Sequence, residues 1–196
     1  MNAVKIPRYI SVEEYLANEH NSPVKHEYVA GVVYGMAGGK NKHHRIATNV
    51  TISFGLHLRG KRCQAFNSDV KVRIRSRQYE CYYYPDVSVV CESNPPDDTF
   101  QDKPIIVVEV ASPSTRRIDA GEKKDAYLTL ASLAVYMIVE QDMPVVILYR
   151  RTPQGFVREV YEGLETSIPL PEIETELPLA EMYEGVEFQP EAEDVS

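Results

Sequence analysis

Ile105-Ile106-Val107-Val108-Glu109-Val110-Ala111-Ser112-Pro113-Ser114-Thr115 is the stretch from which the fold is read. Five β-branched residues in the six positions from Ile105 to Val110 describe a strand covered on both sides, as a central strand is, and Ser112-Pro113 ends it. Glu109 interrupts the run. An ionised carboxylate held in such surroundings costs several kcal/mol unless it is paired or bound to a cation. The plainer alternative puts Glu109 just past the covered part of the sheet, facing water.

Upstream, Tyr84-Pro85-Asp86-Val87-Ser88-Val89-Val90 is a second short apolar run with one carboxylate, although Pro-Asp is also ordinary turn chemistry. Downstream, Asp119, Lys123 and Tyr127 recur at four-residue intervals, which puts them on one helical face. On pattern alone Lys123 is no more than a surface partner of Asp119. Taken together, an aspartate and a glutamate on neighbouring strands with a lysine close by form the kit for metal-assisted attack of water on a phosphodiester. Hard oxygen donors suit Mg²⁺ or Mn²⁺ rather than zinc.

Pro85-Asp86, Glu109 to Thr115, Asp119, Lys123 and Tyr127 resemble the Uma-type family of restriction endonucleases, a branch of the PD-(D/E)XK nuclease superfamily. The likeness extends to His26-Glu27, Gly31 and His43 upstream and to Val135-Tyr136 downstream, so it covers most of the chain to about Arg151. It implies a single α/β domain, a mixed central β-sheet flanked by helices, with metal-dependent cleavage of DNA as the activity. Asp86 and Glu109 would hold Mg²⁺ (or Mn²⁺) with the backbone carbonyl of Val110, Glu27 would complete the shell, and Lys123 would position the attacking water. His43 is a further site residue, Asp69 a support residue beside the site, and a twofold homodimer is implied as well. Two positions depart from the pattern: Ala111 stands where the superfamily has a lysine, and Met137 where a tryptophan follows the tyrosine. An inactive nucleic-acid-binding or protein-interaction module on the same fold is the alternative.

At 196 residues and 43% hydrophobic content the chain suffices for one domain with a sizeable core. No apolar run approaches the ~20 residues that span a bilayer, and Met1 to Glu19 has no signal-peptide core, so a cytoplasmic protein without membrane contact is expected. Cys63, Cys81 and Cys91 have no metal-ligand spacing and read as reduced, packed thiols. The net charge is −8, but its distribution is uneven. Lys40 to Arg77 holds ten lysines and arginines against one acid, Asp69, whereas Glu159 to Ser196 holds twelve acids and no base. The first segment could meet a polyanion; a solvated basic face reads equally well.

Ser11-Val12-Glu13-Glu14 has the form of a capping box, which predicts a helix over 12–19. A strand pair or one bent strand, broken at Gly31, is expected over 26–36, and a helix over 42–59, closed by Gly60, carries His43 and His44 in its first turn, where free N–H groups suit a phosphate. Asp69 to Arg75 alternates, so Val70, Val72 and Ile74 should face the core while Lys71, Arg73 and Arg75 form an outer stripe. A loop over 92–103 precedes the Glu109 strand, and a helix should run over 118–130, with Arg116 and Arg117 flanking its start. A hairpin over 135–151 and a strand over 155–161 follow. From Glu162 the prolines predict a loose arm with one helical turn near 179–183. The domain should span 1–188, and 189–196 should be a disordered acidic tail.

Overall fold

A computed structural model describes residues 9–36, 38–76, 79–111 and 121–188. Helix α1 (Val12–His20) starts at Ser11, whose hydroxyl accepts the Glu14 N–H, as the capping box predicts. Strands β1 (His26–Val29) and β2 (Val32–Gly35) form a hairpin whose turn needs positive φ at Ala30 (49°) and Gly31 (95°). A Cβ on Gly31 would also fall 2.8 Å from the Tyr9 ring. Helix α2 (Asn41–His57) follows, burying Ile46, Val50 and Phe54 at the helical spacing of the sequence.

Next come β3 (Gln64–Asn67), β4 (Lys71–Arg75), β5 (Glu80–Tyr83), β6 (Val87–Val90), β7 (Phe100–Gln101) and β8 (Pro104–Ala111). Helix α3 (Glu122–Leu128) leads to β9 (Val135–Glu140), β10 (Val145–Thr152) and β11 (Gly155–Glu162). The chain closes with β12 (Ser167–Leu170), a 3₁₀ turn over Pro171–Ile173, β13 (Thr175–Pro178) and the short helix α4 (Leu179–Met182). The central sheet is mixed, ordered β11-β10-β9-β8-β6-β3, with β8 and β9 parallel and its other neighbours antiparallel. A second, five-stranded sheet is ordered β2-β1-β5-β4-β7.

Alternation along β8 and β9 assigns the two faces of the central sheet. Ile106, Val108 and Val110 of β8, with Val135, Met137 and Val139 of β9, pack against α2 and the β12–β13–α4 segment. Val107, Tyr136 and Ile138 on the other face pack against Val72, Ile74, Cys81 and Tyr83 of the second sheet and against Ala126 and Tyr127 of α3. Tyr15 of α1 covers the outer side of the second sheet through Tyr28 and Tyr82. Met137, standing where the resemblance leads one to expect tryptophan, is fully buried. Among the described residues no helix is long and apolar enough to cross a membrane.

Three expectations are corrected. The segment after Glu162 is core rather than a loose arm, because Ile168, Leu170, Leu177, Leu179 and Met182 are fully buried against α2 and the central sheet. The reduced-thiol reading fails for Cys63 and Cys91, which form a disulfide (S–S 2.02 Å, Cα–Cα 3.9 Å). The pairing of Gln64 with Val90 sets these two cysteines, one residue further out, across from each other; Cys81 alone is free and buried. The outer stripe on β4 is also absent. Lys71 is buried under Tyr84, Arg73 forks onto Asp102, and Arg75 pairs with Glu80. The expected acidic tail, 189–196, lies outside the described residues, as do Asp119, Arg116, Arg117 and the start of the helix over 118–130.

Candidate active site

The space between the two sheets is apolar except at one end, and there the charged residues meet. Glu109 lies on the β8 face shared by Val107 and Ala111, and Glu27 lies on β1 with its side chain on the face opposite Tyr28. Between them stands Lys123, in the first turn of α3. Its face is the buried one, because Ala126 and Tyr127 follow at three and four residues and both pack inward. Lys123 Nζ lies 2.9 Å from Glu27 Oε1 and 3.3 Å from Glu109 Oε1, and 5.5 Å from the centre of the Tyr83 ring. Both Lys123 and Glu109 are buried, at 7% and 4% exposure.

Asp86 sits one residue before β6, and the register pairing Val87 with Val108 brings it beside Glu109. One carboxylate oxygen, Oδ2, accepts the Val110 N–H at 2.7 Å, and Oδ1 lies 2.9 Å from His43 Nε2 in the first turn of α2. Two groups thus form: Glu27, Lys123 and Glu109 in one, and Asp86, His43 and the Val110 amide in the other. The Glu109–Val110 peptide joins them. Asp69 stands apart from both, paired with Lys25 at 2.5 Å on the surface.

Among the described residues, three carboxylates, one ammonium and one imidazole meet here in a place with little water. Tyr127, fully buried beside them, has its phenol pushed well above its ordinary pKa by burial first and by the Glu109 and Glu27 charges next. Tyr83 is raised as well, chiefly by burial. Carboxylate oxygens are hard donors, of the kind that suits Mg²⁺ or Mn²⁺. Among the described residues no three histidine, cysteine, aspartate or glutamate side chains converge on one metal position.

Several supporting residues give no sign of themselves in the sequence. Tyr84 donates its N–H to Glu27 Oε1 at 3.2 Å and its hydroxyl to Glu19 Oε1 at 2.9 Å, so one residue ties the site to α1. Glu19 also accepts from His26 through the backbone N–H (2.8 Å) and contacts its ring Nδ1 (3.0 Å). The one available signal was that Glu19 falls four residues after Tyr15, on the buried face of α1. Glu140 and Gln141, at the end of β9, are buried as well.

A mixed sheet faced by a smaller one, with an aspartate just ahead of one strand, a glutamate on the next and a helix lysine at their junction, is a restriction endonuclease-like fold. The chain belongs to the Uma2 family, whose profile, described as "Putative restriction endonuclease", matches residues 12–180. It is 38% identical over 148 residues to the uncharacterized protein slr1290 of Synechocystis sp., covering 74% of this chain and 76% of that one. A second Synechocystis protein, sll1609, is 28% identical over 144 residues, with 72% and 80% covered. A crystal structure titled as a putative nuclease belonging to DUF820, from Anabaena variabilis, superposes with a TM-score of 0.68 at 19% identity and covers 88% of this chain and 97% of that chain. At that identity the likeness speaks for the fold.

Proposed function

We propose that this chain is a nuclease that hydrolyses phosphodiester bonds in DNA with Mg²⁺ or Mn²⁺. The observation that supports this most is the burial of Lys123 between Glu27 and Glu109, beside Asp86: four residues from four separate stretches meet at one end of a sheet. Asp86 and Glu109 would hold the cation, with the Val110 carbonyl and Glu27 completing its shell. Such a cation neutralises phosphate charge and lowers the pKa of bound water.

Each protein group has its own task. Asp86 is fixed at both oxygens, by the Val110 amide and by His43, so its carboxylate is oriented before any substrate arrives. Lys123 presents an ammonium that can donate to the attacking water or to a phosphate oxygen as negative charge grows there. His43 stands in the first turn of α2, whose free N–H groups favour a phosphate, with Lys40 and Arg45 nearby in the chain. The test is cleavage of plasmid and single-stranded DNA in Mg²⁺ or Mn²⁺, wild type against Asp86→Ala. Activity should fall by at least about 10²-fold; metal-dependent cutting that survives the substitution removes Asp86 from the mechanism.

A further inference from the structure

The edges of the two sheets are not alike. β2 and β3 have four residues each, β7 has two, and the disulfide ties β3 to β6 at one end. β11 has eight, paired with β10 in an unbroken register, and it contains neither proline nor lysine. Val157 and Val160 on it are 50% and 40% exposed. A long edge without proline or bulge is a template for another strand, provided the charges on it find complements.

The hydrogen-bond parity shows which of its groups are open. Arg151 N donates to Ala134 O at 2.8 Å, so the odd-numbered residues of β10 turn toward β9 and the even-numbered ones toward β11. With Arg150 paired to Val157 and Leu148 to Glu159, the odd-numbered residues of β11 face β10. Gly163 N continues that side by donating to Pro144 O at 3.0 Å. Phe156, Arg158, Val160 and Glu162 therefore direct their N–H and C=O groups to the open side.

An antiparallel strand places open residues opposite open residues, which limits how β11 can pair with itself about a twofold axis. Centred on Arg158, the register sets that arginine against its own copy. Centred on Glu159, it sets two glutamates together and Arg158 against valine. Centred on Val160, it puts the two valines on the axis and Arg158 opposite Glu162 of the second copy, twice. Like charges directly opposite destabilise a ladder and opposite charges support it. Both Arg158 and Glu162 are exposed and make no ion pair among the described residues. They share one face of their strand but stand roughly 14 Å apart along it, too far to satisfy each other. The Glu162 carbonyl also accepts the Thr166 hydroxyl, which leaves its second lone pair and the Glu162 N–H for the ladder.

We propose that β11 is the interface of a homodimer, in which a second copy of this chain adds antiparallel in the register centred on Val160. The backbone ladder supplies attraction, and the two Arg158–Glu162 pairs select the register. This does not depend on the nuclease reading, and its test needs no activity. Light scattering coupled to gel filtration, across a concentration series, should give about twice the monomer mass for wild type. Arg158→Glu and Glu162→Arg should each weaken association by about tenfold or more, and the double reversal should restore it. Both side chains are exposed, so an unchanged circular dichroism spectrum verifies folding of every variant. A wild type that stays monomeric, single variants that dimerise as well as wild type, or a folded double variant that remains monomeric would each overturn the proposal.

Discussion

Two clusters of charge sit in this fold and are built on opposite principles. In the first, the Arg73 guanidinium forks onto Asp102, both bonds at 2.6 Å, and lies 4.3 Å from the centre of the Phe100 ring. Asn94 completes that cluster by donating to Asp102 Oδ2 and accepting the Asp102 N–H. One cation meets one anion, and each carboxylate oxygen has a donor. In the second, Lys123 offers a single point charge to Glu27 and Glu109, with Asp86 next to them. A structural ion pair is stoichiometric and fork-shaped. Among the described residues the second cluster sets three carboxylates around one ammonium, and charges held out of water in this way are a common mark of functional sites.

The sharpest way to break this contrast is to remove the Lys123 ammonium. Lys123→Met takes the charge from beside buried Glu109 and half-buried Glu27 and should cost about 3–5 kcal/mol in urea unfolding. Adding Glu109→Gln to that variant should recover a good part of the loss, because one of the two repelling charges is gone. If Lys123→Met alone unfolds at the wild-type midpoint, the triad is not the charged, buried group described above.

Arg73→Leu should have the next largest effect, about 1–3 kcal/mol, since Asp102 keeps its Asn94 bonds and part of its exposure to water. Nuclease activity should survive it. A loss of cleavage with little loss of stability would mean that the balanced cluster belongs to the site after all.

What the sequence made legible follows the same division. Glu109 stands out because it interrupts an apolar β-branched run, whereas Asp86, at the head of its run in a Pro-Asp pair, gains weight only beside Glu109 and Lys123; the β8 and β6 strands lie where those runs predict. The Ser11 cap and the α2 periodicity were readable for the same reason: the signal is local. Lys123 was readable only through the family resemblance, because its spacing from Asp119 is ordinary helix-surface chemistry. The helical turn at α4 lies where the sequence predicts it, but the β12–β13 pair is hidden because Pro169, Pro171 and Pro178 break the alternation of Ile168, Leu170, Leu177 and Leu179, all of them buried. The Cys63–Cys91 bridge depends on a strand register, and the fate of Lys71, Arg73 and Arg75 on partners 13, 29 and 5 residues away. The bridge and the Arg73–Asp102 fork lie beyond any one window of sequence, and the nearer partners depend on the same strand register.

The smallest effect, and the one that tests the balanced cluster in its native form, is its dependence on pH. Burial alone would raise the Asp102 pKa, but the hydrogen bonds from Arg73 and Asn94 outweigh it and hold the carboxyl below its ordinary 3.8. A folded-state pKa below the unfolded one means that the unfolded chain takes up the proton first. The stabilisation is therefore complete above about pH 4 and drains away as the pH falls through the folded value. Because a third of the side chain is open to water, the contribution should stay at or below about 1 kcal/mol. Urea midpoints of wild type and Asp102→Asn, measured at neutral pH and again well below pH 4, should differ at the first and converge at the second. A gap that persists unchanged in acid would show that the carboxylate charge has no part in closing this cluster, and the contrast with Lys123 would then rest on shape rather than on charge balance.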